Sequence, residues 1–218
     1  LKSSVSGHVT LQTTAAGSAT NTAGVVAQLF DSSTGTALGT ATTNASGNYT
    51  IAKVTPGSYN IGFYEEGAAP QYLTTLGTLS LSRDNAASFT VSAGSNVTGK
   101  NAALKRLGTI SGTITDPDGN PHAGSVAVYN AAADYSYVAG ASSDDTGNYT
   151  VSDLPPGTYV VGYYDGQNSQ YDYAYYASTG VVDDRTKATT LTIGVGTALT
   201  GKNMVLALSQ MGNVTGTI

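Results

Sequence analysis

Apolar and polar residues follow one another in short strand-length runs along this chain. Thr113-Ile114-Thr115 and Ser125-Val126-Ala127-Val128-Tyr129 alternate, and Thr158-Tyr159-Val160-Val161-Gly162-Tyr163-Tyr164 is an unbroken β-branched and aromatic run. Alternation of period two, and runs of this composition, predict β-strands. Turn signals separate them: Asp118-Gly119-Asn120-Pro121, Asp145-Thr146-Gly147-Asn148, and Pro155-Pro156-Gly157 at the entry to the next strand. No helical period lasts longer than one turn. About seven short strands with a turn every eight to twelve residues predict an all-β fold, a β-sandwich.

The pattern occurs twice. Val5-Ser6-Gly7-His8-Val9-Thr10 matches Ile110-Ser111-Gly112-Thr113-Ile114-Thr115, and Gly47-Asn48-Tyr49-Thr50 returns unchanged as Gly147-Asn148-Tyr149-Thr150. Pro56-Gly57 matches Pro156-Gly157, and Thr98-Gly99-Lys100-Asn101 returns as Thr200-Gly201-Lys202-Asn203. The order is conserved and the offsets stay between 100 and 105 residues. Two tandem sandwiches follow, over residues 1–105 and 106–208, joined by the short junction Leu104-Lys105-Arg106-Leu107, which predicts a stiff rod. A third copy of the opening strand begins in residues 209–218, at Val214-Thr215-Gly216-Thr217-Ile218. Three readings stand for it: the first strand of a further repeat, a donor strand that adds to a sheet of a neighbouring subunit, or a strand folded back on the second sandwich. If it is a donor strand, removing Met211–Ile218 abolishes assembly and leaves both sandwiches folded.

The run from Ile110 through Asp116-Pro117-Asp118-Gly119-Asn120 to Tyr129, then Asp145–Val151 and Leu154–Val161, resembles carboxypeptidase regulatory-like domains. These are close in fold to transthyretin-like and Cna B-type repeats. The resemblance covers nearly all of residues 108–207. It is weaker over residues 3–104, where a Gly/Ala/Thr-rich loop at Leu11–Thr22 replaces the short turn. It implies seven-stranded Greek-key sandwiches of prealbumin or immunoglobulin-like type, strung as tandem modules in bacterial surface and secreted proteins, where they act as stalks, spacers, adhesin segments and fibre subunits. Some Cna B-type relatives also form an intramolecular Lys–Asn isopeptide, with the Lys in the first strand and the Asn in the last. Carried onto this chain, that arrangement nominates Lys2 with Asn101 and Lys105 with Asn203.

Composition narrows the chemistry. The 218 residues include no Cys, which excludes a thiol nucleophile, a disulfide framework and a Cys-built zinc site. A net charge of −5 argues against a nucleic-acid partner. No apolar run reaches the roughly 18 residues of a membrane helix. Ser and Thr make up 22 and 32 residues, and with few charged groups this composition points to an extracellular or cell-surface protein.

Catalytic signals are weak. The two histidines, His8 and His122, do not occupy equivalent places in the two copies, and there is no Gly-x-Ser-x-Gly elbow. No enzyme activity, cofactor or metal is expected. Asp116-Pro117-Asp118-Gly119-Asn120 lacks the Gly and Glu spacing of a calcium loop and reads as a turn. Lys100 and Lys202 share a face with the core positions of the last strand, which predicts ammonium groups that snorkel past the sandwich end.

The exposed-looking feature is a tyrosine cluster in the second copy: Tyr163, Tyr164, Tyr171, Tyr173, Tyr175 and Tyr176. Such rings serve as sheet packing, as a protein interface or as a stacking platform for sugars. The sequence therefore reads as a non-enzymatic extracellular structural or adhesive repeat protein, a stalk or filament subunit that associates with itself or with neighbouring repeats. The alternatives are a polysaccharide-binding module using the tyrosines, and accessory domains of a larger secreted enzyme.

Overall fold

The computed structural model describes residues 2–132, 134–165 and 173–207. Tyr171 and the proposed donor strand Val214–Ile218 lie outside the described residues. The chain divides into two compact units, Leu1–Arg106 and Leu107–Ile218. Among the described residues there is no α-helix, only two single-turn 3₁₀ segments at Arg83–Asn85 and Arg185–Lys187.

Each unit is a sandwich of two sheets. In unit 1 the opening strand Ser3–Gln12 is the spine of the first sheet and pairs antiparallel with Asn48–Val54. On its other side it pairs in parallel with the end of the unit, in two pieces: Asn96–Val97 against its first half and Ala102–Lys105 against its second. The second sheet runs in the order Ala37–Thr42, Val26–Asp31, Gly57–Tyr64, Gln71–Leu73, Leu79–Ser80, with Phe89–Val91 also on Gly57–Tyr64. Unit 2 repeats this plan. Gly108–Thr115 pairs with Asn148–Leu154 and, in parallel, with Ala198–Leu199 and Met204–Val205. Its second sheet is Tyr137–Ser142, Ser125–Asn130, Gly157–Tyr164, Ala174–Ala177, Gly180–Val182, with Leu191–Ile193 on Gly157–Tyr164.

Strand parity builds the core. Val5, Val9, Leu11, Tyr49, Ile51 and Leu104 of the first sheet meet Ala27, Leu29, Tyr59, Ile61 and Phe63 of the second. Each fully buried aliphatic or aromatic side chain contributes roughly 1.5–3 kcal/mol. In both units Gly57–Tyr64 and its copy are buried on both faces. Asn60, 3% exposed, turns outward and donates its amide to Ala87 O at 3.0 Å and Ser88 Oγ at 3.2 Å. Val160, at the equivalent place in the strand, is 1% exposed and carries no polar group to satisfy.

One junction absorbs most of the repeated motifs. Gly99 and Gly201, at φ 75° and 68°, break the closing strand in two. The chain then crosses the opening strand so closely that a Cβ on Gly7 would lie 2.2 Å from Lys100 O, and one on Gly112 2.3 Å from Lys202 O. Those carbonyls accept the hydroxyls of Tyr49 and Tyr149, each at 2.6 Å. The Asn101 and Asn203 Oδ1 atoms accept the backbone N–H of His8 at 2.9 Å and Thr113 at 3.0 Å. The Ser-Gly, Asn-Tyr and Gly-Lys-Asn signatures are thus parts of a single crossing, built twice.

The crossing sets an alkaline limit. Burial pushes the Tyr49 and Tyr149 phenols well above their ordinary value of 10. The unfolded chain therefore loses these protons first. The stability they contribute is fully present below about pH 10 and falls as pH rises beyond it. The melting temperature is expected to hold steady up to about pH 10 and then decline. In a Tyr49→Phe/Tyr149→Phe variant the decline is expected to be shallower. An identical alkaline slope in the two proteins counts against this account.

Candidate functional site

Parity divides the sequence-nominated tyrosines between two faces of the second sheet of unit 2. Tyr163 is corrected from surface ligand to core. It is 1% exposed, its hydroxyl donates to Ala123 O at 3.2 Å, and it sits where unit 1 has Phe63. Tyr176 also faces inward, half-buried against the core, with Lys202 Nζ 5.9 Å from its ring centre. Tyr164, Tyr173 and Tyr175 face outward. Tyr164 and Tyr173 stack at 4.9 Å with planes 24° apart, and are 45% and 54% exposed.

The outward face holds more tyrosines than the run 163–176 contains. Tyr129 lies 6.3 Å from Tyr175 on one side and 6.4 Å from Tyr137 on the other, so three rings form a row across the sheet. Gly162 is the floor of the row: a Cβ there would be 3.0 Å from Tyr175 and 3.2 Å from Tyr129. Burial raises the Tyr129 phenol above its ordinary value, and the neighbouring phenols add to the effect. At the margin the Arg185 guanidinium lies 5.0 Å over the ring of Tyr135, whose φ of 55° is rare for a bulky residue. Tyr129 was legible: it continues the Val126/Val128 alternation on the opposite face. Tyr137, Tyr135 and Arg185 join only through strand register and loop path.

Unit 1 carries a different surface at the same places. Strand register sets Phe30 against Tyr129, Ala37 against Tyr137, Tyr72 against Tyr175, and Tyr64 against Tyr164. Tyr64 donates to Gln28 Oε1 at 2.9 Å, whereas Ala127 stands at the Gln28 position in unit 2. The hydroxyls of Tyr129, Tyr137, Tyr164, Tyr173 and Tyr175 have no hydrogen-bond partner among the described residues.

The other nominated residues are scaffold. Lys2 and Asn101 are not brought together. Lys2 precedes the strand that starts at Ser3, Asn101 is bound at His8, and six residues of extended chain span about 20 Å. Lys105 ends the closing strand of unit 1, paired with Gln12, and Asn203 belongs to unit 2. The ammonium of Lys100 lies 4.2 Å over the Phe89 ring. Both carboxylate oxygens of Asp116 accept from Asn120, at 2.8 Å each, which closes a turn. Among the described residues no group of three His, Cys, Asp or Glu side chains could hold a metal. His122 Nε2 lies 3.1 Å from Asp165 Oδ2, while Ser143 Oγ bonds the backbone at His122 O and Gly124 instead of the imidazole.

Comparison with known proteins fits this architecture. Residues 109–198 match the carboxypeptidase regulatory-like domain. The match spans the tyrosine face and stops short of the Thr200-Gly201-Lys202-Asn203 crossing of unit 2. Residues 3–68 match the second β-sandwich domain of NOMO1-like subunits of the BOS complex. No curated protein matches the chain. Among solved structures, the Bacillus anthracis TIE protein is 15% identical over 93% of this chain, with a TM-score of 0.34, and the chain spans 33% of that protein's length. A minor pilin of Streptococcus agalactiae is 15% identical over 98% of this chain and 99% of its own, with a TM-score of 0.38. The shaft pilin SpaA of Lactobacillus rhamnosus GG is 11% identical over 98% and 100%, with a TM-score of 0.37. Likeness at this level says nothing of activity or partners.

Proposed function

We propose that this chain is an extracellular structural repeat protein, a segment of a stalk or filament that carries tension along its length. The observation behind this reading is the parallel pairing of the opening and closing strands within each unit. Ser4 and Val5 face Asn96 and Val97, and Val9 through Gln12 face Ala102 through Lys105. Force applied at the two ends of a unit acts along these strands in opposite senses. The inter-strand hydrogen bonds then lie across the force and must yield together, instead of opening one at a time as in a peeled hairpin. Unit 2 repeats the arrangement, so the feature is duplicated with the fold. A chain rich in Ser and Thr and poor in charge supports the extracellular placement.

Single-molecule pulling tests the reading. Pulled from its two ends, the chain is expected to show two discrete unfolding steps, one per unit. Their force is expected to be several-fold higher than when unit 1 is pulled between Gly24 and Asn44, at the open end of the hairpin Val26–Asp31/Ala37–Thr42, which unzips that pair one hydrogen bond at a time. Equal forces in the two geometries overturn the reading.

A further inference from the structure

We infer that the outward tyrosine face of unit 2 is a binding site for a neutral, linear polysaccharide. This goes beyond the tension-carrying role and does not depend on it. Tyr137, Tyr129 and Tyr175 form a single row with centres 6.4 and 6.3 Å apart, and Gly162 and Ala127 leave the sheet surface beside them without bulky side chains. The Tyr164–Tyr173 stack extends the aromatic surface along the strands.

Two of these rings are additions to the fold. Unit 1 has Ala37 and Pro70 at the places of Tyr137 and Tyr173, keeps aromatic rings in Phe30, Tyr72 and Tyr64 at the other three, and satisfies the Tyr64 hydroxyl internally. Four of the fifteen tyrosines, Tyr49, Tyr59, Tyr64 and Tyr72, lie in unit 1, and the other eleven lie in unit 2. The buried copies Tyr149, Tyr159 and Tyr163 donate their hydroxyls to backbone carbonyls, whereas the outward ones have no described partner.

A flat ring with a free phenol matches a pyranose in two ways: the ring covers the C–H face of the sugar, and the hydroxyl meets a sugar hydroxyl. Size and charge choose the occupant. The three most exposed rings of the face, Tyr137, Tyr173 and Tyr164, are about half exposed. Aromatic side chains bury 150–250 Å² each, so these three offer roughly 250–400 Å². A stable protein interface takes about 800 Å² per partner. A narrow aromatic strip suits a single extended polymer better. Arg185 stands at the margin of the face, and the chain as a whole carries −5, which disfavours acidic polymers and nucleic acids.

Native gel electrophoresis of the whole chain in laminarin, arabinoxylan or galactomannan, with polygalacturonate as the acidic control, tests the assignment. At least one neutral polymer is expected to retard the protein and polygalacturonate is not. Tyr137→Ala/Tyr173→Ala is expected to weaken retardation about tenfold or more while the melting temperature stays within a few degrees. Tyr129→Phe/Tyr175→Phe, which keeps the rings, is expected to retain most of the binding. Three results would each overturn the inference: no retardation by any neutral polymer, retardation unchanged in the double alanine variant, or retardation by polygalacturonate alone. Sedimentation tests a second copy of the chain as the occupant. If the wild-type chain self-associates and the alanine variant is monomeric, the face is a contact between copies and the polysaccharide assignment is wrong.

Discussion

Gly112→Ala is expected to destabilise unit 2 severely and leave the stability of unit 1 unchanged. The added methyl would lie 2.3 Å from Lys202 O, 2.5 Å from its carbonyl carbon and 3.0 Å from its nitrogen. Nothing flexible is available to move, because the obstacle is backbone. Backing the closing strand away breaks Lys202 N–H to Ser111 O at 3.0 Å, Tyr149 to Lys202 O at 2.6 Å, and Thr113 N–H to Asn203 at 3.0 Å. Three hydrogen bonds at about 1 kcal/mol each, with packing lost at Met204 and Leu206, put the cost at about 3–5 kcal/mol. A domain of this size has only about 5–15 kcal/mol in total. Gly7→Ala should do the same to unit 1, where the methyl would also meet the Tyr49 hydroxyl at 3.0 Å. Gly201→Ala is the control: its φ of 68° is unfavourable for alanine but no atom lies within 4 Å, so about 1–2 kcal/mol is expected. Scanning calorimetry, with hydrogen exchange to assign each transition, checks this. A Gly112→Ala protein that melts like the parent would mean the crossing yields, and the repeated motifs would need another explanation.

The repeats were legible because their motifs survive almost letter for letter, and parity along Val126/Val128 or Leu104 already sorted core from surface. The meaning of the motifs was not legible. Lys100 and Lys202 draw attention by their ammonium groups, yet the atoms that matter most are their carbonyl oxygens, which accept the tyrosine hydroxyls. The resemblance to Cna B-type repeats nominates Asn101 and Asn203 as isopeptide partners, but the side-chain oxygen of each accepts from the backbone of the opening strand. The tyrosine cluster shows the same limit. Counting residues from 163 to 176 gathers rings that alternate between core and surface, and it leaves out Tyr129 and Tyr137, which lie on other strands and enter the face only through antiparallel register. Sequence neighbours share a face only at even spacing, and residues on different strands share one only once pairing is known.

That alternation gives a second large and opposite pair of effects. Tyr163→Ala is expected to cost about 3–5 kcal/mol, the usual range for removing a fully buried aromatic ring. The ring packs edge-on to His122 at 6.0 Å and against the buried core of unit 2. Tyr163→Phe should cost only about 1 kcal/mol, since Phe63 fills the same position in unit 1 at 0% exposure and the change gives up the 3.2 Å bond to Ala123 O. Tyr173→Ala, ten residues along the chain, is expected to cost about 1 kcal/mol or less, because it removes one half-exposed member of a stacked pair. Urea denaturation of the three variants, with the unit 2 transition followed separately, reads the order directly. A Tyr173→Ala loss as large as that of Tyr163→Ala would place Tyr173 in the packing of the unit and remove the basis for treating the outward tyrosines as free to bind. The expected order leaves a surface on which the outer rings can be changed for binding while the scaffold beneath them, set by Tyr163 and the Gly112 crossing, stays intact.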